Sequence, residues 1–154
     1  MYNTLSACFT GHRNITENPK DVFSKLEAVL QTIIENNNVT DFYAGGAVGF
    51  DTIAAKVVLY MRDTKKLPVK LHLILPCPKD QQTRDWTVEQ RYEYDVILKR
   101  VNTVEYTSNK YHPSCMKIRN KKLVEMADFF VFAILNHNIK VELYKQLILQ
   151  RVKD

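Results

Sequence analysis

Apolar residues in this chain alternate between two kinds of pattern. Short unbroken runs are followed by stripes at helical spacing. "LSACFTG" (5–11) is a run of strand length that ends at Gly11. Val22, Leu26, Val29, Leu30, Ile33 and Ile34 then recur as one helical face, with Asn18 placed to cap that helix and Pro19 in its first turn. "NNN" at 36–38 ends it. "VTDFYAGG" (39–46) reads as a second strand, and "FDTIAAKVVLYMR" (50–62) as a second helix with Ile53, Ala54, Val57, Val58 and Met61 inward. "PVKLHLILPCP" (68–78) is a third strand bounded by prolines, and residues 77–86 form a polar, irregular loop. A helix is expected over 87–100, with Tyr92 packing and Arg91 pairing. A fourth strand follows at "NTVEYT" (102–107), then a loop, then a helix over 115–127 capped by Ser114. "DFFVFAIL" (128–135) is the most apolar stretch and predicts a central strand. "NHN" turns the chain into a last helix from about Ile139 to Val152.

A strand followed by a helix, five times over, predicts an α/β fold. Its core is a mainly parallel five-stranded sheet with helices on both faces, in one domain over residues 1–154. Ligands of such sheets bind outside the carboxyl ends of the strands. That rule brings five segments to one edge: Gly11 to Arg13, Gly45 to Asp51, the 77–86 loop, the 107–114 loop and Asn136 to Asn138.

Composition narrows the function classes. The chain has 154 residues, 45% hydrophobic and 25% charged, an ordinary globular balance. Its 22 Lys and Arg against 17 Asp and Glu leave a net charge of +5, which permits an anionic ligand or nucleic acid and requires neither. Cys8, Cys77 and Cys115 are widely separated and show no zinc-type spacing, so no metal site is expected. Scattered thiols fit a reducing compartment. The N-terminus lacks the pattern of a signal peptide, and no apolar run approaches a membrane span. A cytoplasmic protein with no membrane partner is the expectation.

"YAGGAVGFD" (43–51) carries the strongest local chemistry. Glycines at a strand-to-helix turn permit positive φ and close backbone approach. The helix start beyond them offers N–H groups and a positive dipole end. Gly45, Gly46, Ala47 and Gly49 thus suit a phosphate cradle. The GGxxG spacing is neither a dinucleotide fingerprint nor a P-loop, and a tight turn needing glycine only for packing is the other reading. Asp51 would repel a phosphate beside it; it suits a ribose hydroxyl, or the loop's own N–H groups. Arg13 suits a bidentate phosphate contact or a plain surface role, and His12 a contact to the same anion or a turn. Trp86 suits stacking on a base or burial of its loop. Arg119 reaches the edge from its helix start or pairs with a nearby carboxylate. "KIRNKK" (117–122) is a solvated helix face or a contact for nucleic acid backbone.

Five segments in register resemble the YpsA-like family of the SLOG superfamily: "FTGHR" (9–13), "FYAGGAVGFD" (42–51), "ILPCPKDQQTRDW" (74–86), "QRYEYDVIL" (90–98) and "YHPSCMKIRNKKLVEMAD" (111–128). The superfamily also contains DprA and the LOG phosphoribohydrolases. The resemblance implies a Rossmann-like three-layer sandwich that binds a nucleotide or nucleotide-derived, ADP-ribose-like ligand, with no added cofactor. Its pocket would draw on Gly11, His12 and Arg13; on Gly45, Gly46, Ala47, Gly49 and Asp51; on Gln81 and Trp86; and on Arg119 and Asn120. It also implies self-association, for which the apolar last helix is a candidate interface. Two alternatives come with it, a LOG-type N-glycosidic cleavage and DprA-like binding of single-stranded DNA. The chain departs from the family after the last strand. "NHNIKVELYKQ" (136–146) stands where the family has a GGT turn and where LOG enzymes have GGxGTxxE. Glu142 lacks the surrounding motif and is expected to be a solvent-facing helix residue. A binding module is therefore favoured over an enzyme.

Overall fold

The computed structural model describes residues 4–134 and 138–143, with the side chains of residues 4–129 and of Ile139. Six strands form one sheet: β1 (Leu5–Thr10), β2 (Val39–Ala44), β3 (Lys70–Leu75), β4 (Thr103–Tyr106), β5 (Phe129–Ile134) and β6 (Asn138–Leu143). Their order is β4-β3-β2-β1-β5-β6. The first five run parallel, and β6 pairs antiparallel with β5. Five helical segments connect them: α1 (Pro19–Asn37), α2 (Phe50–Asp63), the single turn α3 (Lys79–Gln82), α4 (Val88–Arg100) and α5 (Cys115–Met126). The fold is an α/β, Rossmann-like arrangement.

Alternation along the strands sorts the layers. Ala7 and Phe9 of β1, Phe42 and Ala44 of β2, and Leu71, Leu73 and Leu75 of β3 share a core with α1, α2 and α4. Cys8 and Ile74 point to the opposite face, where Leu123 of α5 and Ala127 meet them. Helices thus lie on both faces, with the larger core under α1 and α2. Phe9 stacks on Phe42 at 5.8 Å between ring centroids and meets Phe50 edge-on at 6.4 Å. The first residue of α2 is thereby anchored in the core.

Local signals explain most boundaries. The Asn18 side chain accepts the Lys20 N–H at 2.9 Å, with Pro19 behind it. Asn38 closes α1 in the left-handed region, at φ 54°, and donates its N–H to the Ile33 carbonyl. Thr87 and Gln90 cap α4 reciprocally.

The structure corrects four expectations. The sheet has six strands, not five. The helix expected from Ile139 begins as strand β6, and the remainder of that segment lies outside the described residues, as does most of the 136–138 turn. Ile139, Val141 and Leu143 alternate with Lys140 and Glu142, a period-two pattern within six residues, and they fall in register with Ala133, Val131 and Phe129. β6 thus covers what would have been an apolar edge. Ser114 makes no side-chain cap; the Ile118 N–H reaches the Ser114 carbonyl instead. Tyr92 does not pack but is 69% exposed, while Tyr94 is buried against Trp86. Among the described residues, no helix is long and apolar enough to cross a membrane.

Candidate functional site

The carboxyl ends of β1, β2 and β3 open onto two adjoining cavities. The larger, about 610 Å³, is lined by Arg13 and Ala47, by the Pro76–Trp86 loop through Cys77, Gln81, Gln82, Arg84 and Trp86, and by Gln90, Tyr111 and Met116. The smaller, about 310 Å³, is lined by Thr10, Gly11, Arg13, Ala47, Asp51, Met116, Arg119 and Asn120, among others. Arg13, Ala47 and Met116 belong to both and mark the boundary between them.

The glycine loop is held from within. Asp51, in the first turn of α2, is 8% exposed and accepts the Ala47 N–H at 3.3 Å. Arg119, 5% exposed, donates from Nη1 to the Gly45 carbonyl and from Nε to the Asn120 side chain at 2.8 Å. A Cβ on Gly45 would lie 2.1 Å from Arg119 Nη1 and 3.0 Å from Asp51 Oδ2. Glycine here lets the guanidinium and the carboxylate close onto the strand end. Burial pushes the Asp51 carboxyl up to about 6, outweighing the attraction of Arg119 and of the backbone N–H beside it. Burial likewise pulls Arg119 below the usual guanidinium range, against the pull of Asp51.

Gly49 joins the first loop to the second. It sits at φ 82°, and a Cβ there would lie 2.2 Å from the Arg13 carbonyl and 2.6 Å from that of His12. The Phe50 N–H donates to the His12 carbonyl at 3.1 Å. The backbone of 12–13 therefore caps α2. The Arg13 side chain is left exposed, with no hydrogen bond or ion pair to the described residues.

The third and fourth loops are tied to one another. Gln81 accepts the Tyr111 N–H through its side-chain oxygen. Gln82 donates to the Gly46 carbonyl at 3.3 Å and accepts from the Tyr94 hydroxyl at 3.1 Å. Arg91 donates to the carbonyls of Thr83 and Arg84 at 3.0 and 2.6 Å, so it clips the loop rather than facing a ligand. Trp86 meets Tyr94 edge-on at 5.4 Å and is half-buried on the cavity wall.

Of the residues expected from sequence, Gly11, Arg13, Ala47, Asp51, Gln81, Trp86, Arg119 and Asn120 line one cavity or the other. His12 lines neither; its carbonyl serves the helix cap and its side chain is exposed. Gly45, Gly46 and Gly49 shape the walls without lining them. Arg84, Gln90 and Tyr111 line the larger cavity but were not singled out, although each lies inside a segment that carries the family resemblance. Only the meeting of three loops puts them together, and spacing does not encode that. Glu142 lies on a strand, in register with Phe130, and β6 runs away from this edge after pairing Asn138 with Ile134. It is not a helix residue.

The YpsA family model, described as the YspA SLOG family, matches residues 10–149. No curated protein matches the chain. The match spans the first loop, the glycine loop, both later loops and strands β2 to β6, and on that coverage the chain belongs to the YpsA family of SLOG proteins.

Proposed function

We propose that the chain binds a nucleotide or nucleotide-derived, ADP-ribose-like ligand in the larger cavity, as a non-catalytic sensing or binding module. One observation carries this reading: the cavity puts two cations, Arg13 and Arg84, beside two aromatic side chains, Trp86 and Tyr111. Phosphate groups and a base need those two chemistries together. Gln81, Gln82 and Gln90 add amides for directional hydrogen bonds. The volume, about 610 Å³, falls within the range of small-molecule sites. SLOG membership fits a nucleotide-related ligand in general. The LOG-type alternative loses support because Glu142 stands on β6, away from both cavities.

Isothermal titration against nucleoside mono- and diphosphates, ADP-ribose and NAD tests the proposal. Micromolar binding of at least one is expected, weakened about 10- to 100-fold by Arg13→Ala, the worth of one charge-assisted hydrogen bond or bidentate pair. No binding below millimolar by a folded chain refutes it.

A further inference from the structure

The smaller cavity has no part in the ligand reading above, yet its wall is chemically specific. Two buried charged side chains line it, Asp51 and Arg119, and two exposed polar ones, Thr10 and Asn120. Arg119 spends Nε on the Asn120 side chain and Nη1 on the Gly45 carbonyl. Its Nη2 makes no hydrogen bond to the described residues. No buried side-chain nitrogen or oxygen among those residues is without a partner, so Nη2 reaches open space, and the space that Arg119 lines is this cavity. The Asn120 oxygen is taken by Arg119, which leaves the amide nitrogen to donate. The Asp51 carboxylate accepts the Ala47 N–H and, with about four acceptor positions in all, keeps lone pairs beyond it. The Thr10 hydroxyl can both donate and accept.

Donor and acceptor groups mixed on one wall suit a ligand group that both gives and takes hydrogen bonds. A phosphate only accepts, and the Asp51 carboxylate repels it. A base needs an aromatic platform, and the aromatic residue at this cavity, Phe9, keeps its ring in the core, stacked on Phe42. The vicinal diol of a sugar fits: each hydroxyl donates once, to Asp51 or Thr10, and accepts from Arg119 or Asn120. Leu123 and Val124 of α5 offer apolar surface to the carbon face of the ring. A volume of about 310 Å³ lies at the low end of small-molecule sites and holds one sugar ring. Arg13, shared by the two cavities, stands between this wall and the aromatic pair of the larger one.

We propose that the smaller cavity is a sugar subsite, which takes the vicinal diol of a distal ribose joined through a diphosphate at Arg13 to the base held in the larger cavity. The inference rests on the nucleotide reading and narrows it. The ligand class is a nucleoside diphosphate that carries a second pentose, as ADP-ribose does, and a plain nucleotide fills only part of the site. The two cavities then act as one binding surface, with a base at one end, a diol at the other and Arg13 over the charged link between them.

Isothermal titration of the full chain tests this with two ligands of equal charge, ADP-ribose and the β-methyl ester of ADP, which lacks the second sugar. ADP-ribose should bind about 10- to 100-fold more tightly, the worth of one or two hydrogen bonds to charged partners. Two variants place the difference in the smaller cavity. Thr10→Val removes a hydroxyl from its wall and should narrow the gap about 3- to 10-fold. Val124→Phe fills the cavity from α5 and should close the gap, with the methyl ester bound as by wild type. Equal affinities for the two ligands overturn the proposal and leave the nucleotide reading standing. So does a gap that survives unchanged in folded Val124→Phe; if that variant fails to fold, an unchanged gap in Thr10→Val decides in the same way. If neither ligand binds, the nucleotide reading and the sugar subsite fall together.

Discussion

Replacing Asp51 by Asn should change how stability depends on pH. The carboxyl titrates near 3.8 when solvated and at about 6 in the folded chain, because it is buried beneath the glycine loop. The native state therefore holds the proton more tightly than the unfolded state does. Below pH 3.8 both states are protonated and the group costs nothing. As pH rises the unfolded state releases its proton first, so stability falls until the native carboxyl also ionises. A difference of about 2.2 pH units corresponds to about 3 kcal/mol at 1.36 kcal/mol per unit. Of this, about 2.5 kcal/mol is lost between pH 4 and pH 7. Asparagine keeps the shape, accepts the Ala47 N–H and does not titrate, but it leaves Arg119 without a counter-charge. The stability difference at any one pH mixes these two effects, whereas its change with pH isolates the proton. Urea unfolding of wild type and Asp51→Asn at pH 4, 5, 6 and 7 should move the difference in favour of asparagine by about 2.5 kcal/mol across the range. Curves that stay parallel would show that burial does not dominate at Asp51 and would refute the electrostatic account of this loop.

Three further substitutions test the scaffold of the site. Gly49→Ala places a Cβ 2.2 Å from the Arg13 carbonyl at φ 82°, so backbone must move; a loss of about 2 kcal/mol or more is expected in urea unfolding. Gly45→Ala drives its Cβ into the Arg119 guanidinium and parts it from the Gly45 carbonyl, which should cost about 3 kcal/mol, the penalty of stranding a buried charge. Thr87→Ala removes one half of the α4 capping box and should cost about 1 kcal/mol, read as a lower urea midpoint at unchanged slope.

Legibility followed the range of the interactions. The Asn18 cap and the left-handed Asn38 could be read because both are local. The parallel strands could be read because each is a short apolar run next to a helical stripe. "NIKVEL" reads as helix because Leu143, its last residue, is continued by Tyr144, Leu147 and Ile148 at helical spacing, and the longer pattern dominates. Its partner settles the matter: β5 is too apolar to stand as an edge, and β6 gives it a neighbour on that side. Arg13 and the glycine loop could be assigned to one edge from topology alone. The role of Arg119 could not. Nothing in "KIRNKK" separates Arg119, only 5% exposed, from its exposed neighbours Ile118 and Asn120. That distinction comes from the helix crossing the end of β2, a tertiary fact.

The same contacts change what the glycine loop can do for a ligand. A P-loop leaves its N–H groups and the helix start open to phosphate. Here the Ala47 N–H goes to Asp51, and the first N–H of α2 goes to the His12 carbonyl. The chain places its own carboxylate where a phosphate would otherwise sit and balances it with Arg119. On the proposed reading, an anionic ligand must then be recognised by side chains at the rim, Arg13 and Arg84, rather than by the loop backbone. Two consequences separate this from a cradle mechanism. Loss of Arg13 should weaken binding of phosphorylated ligands far more than binding of the matching nucleoside. Asp51→Asn, which leaves both rim arginines in place, should leave nucleotide affinity within a few-fold of wild type; a large gain would mean that the phosphate reaches the loop after all.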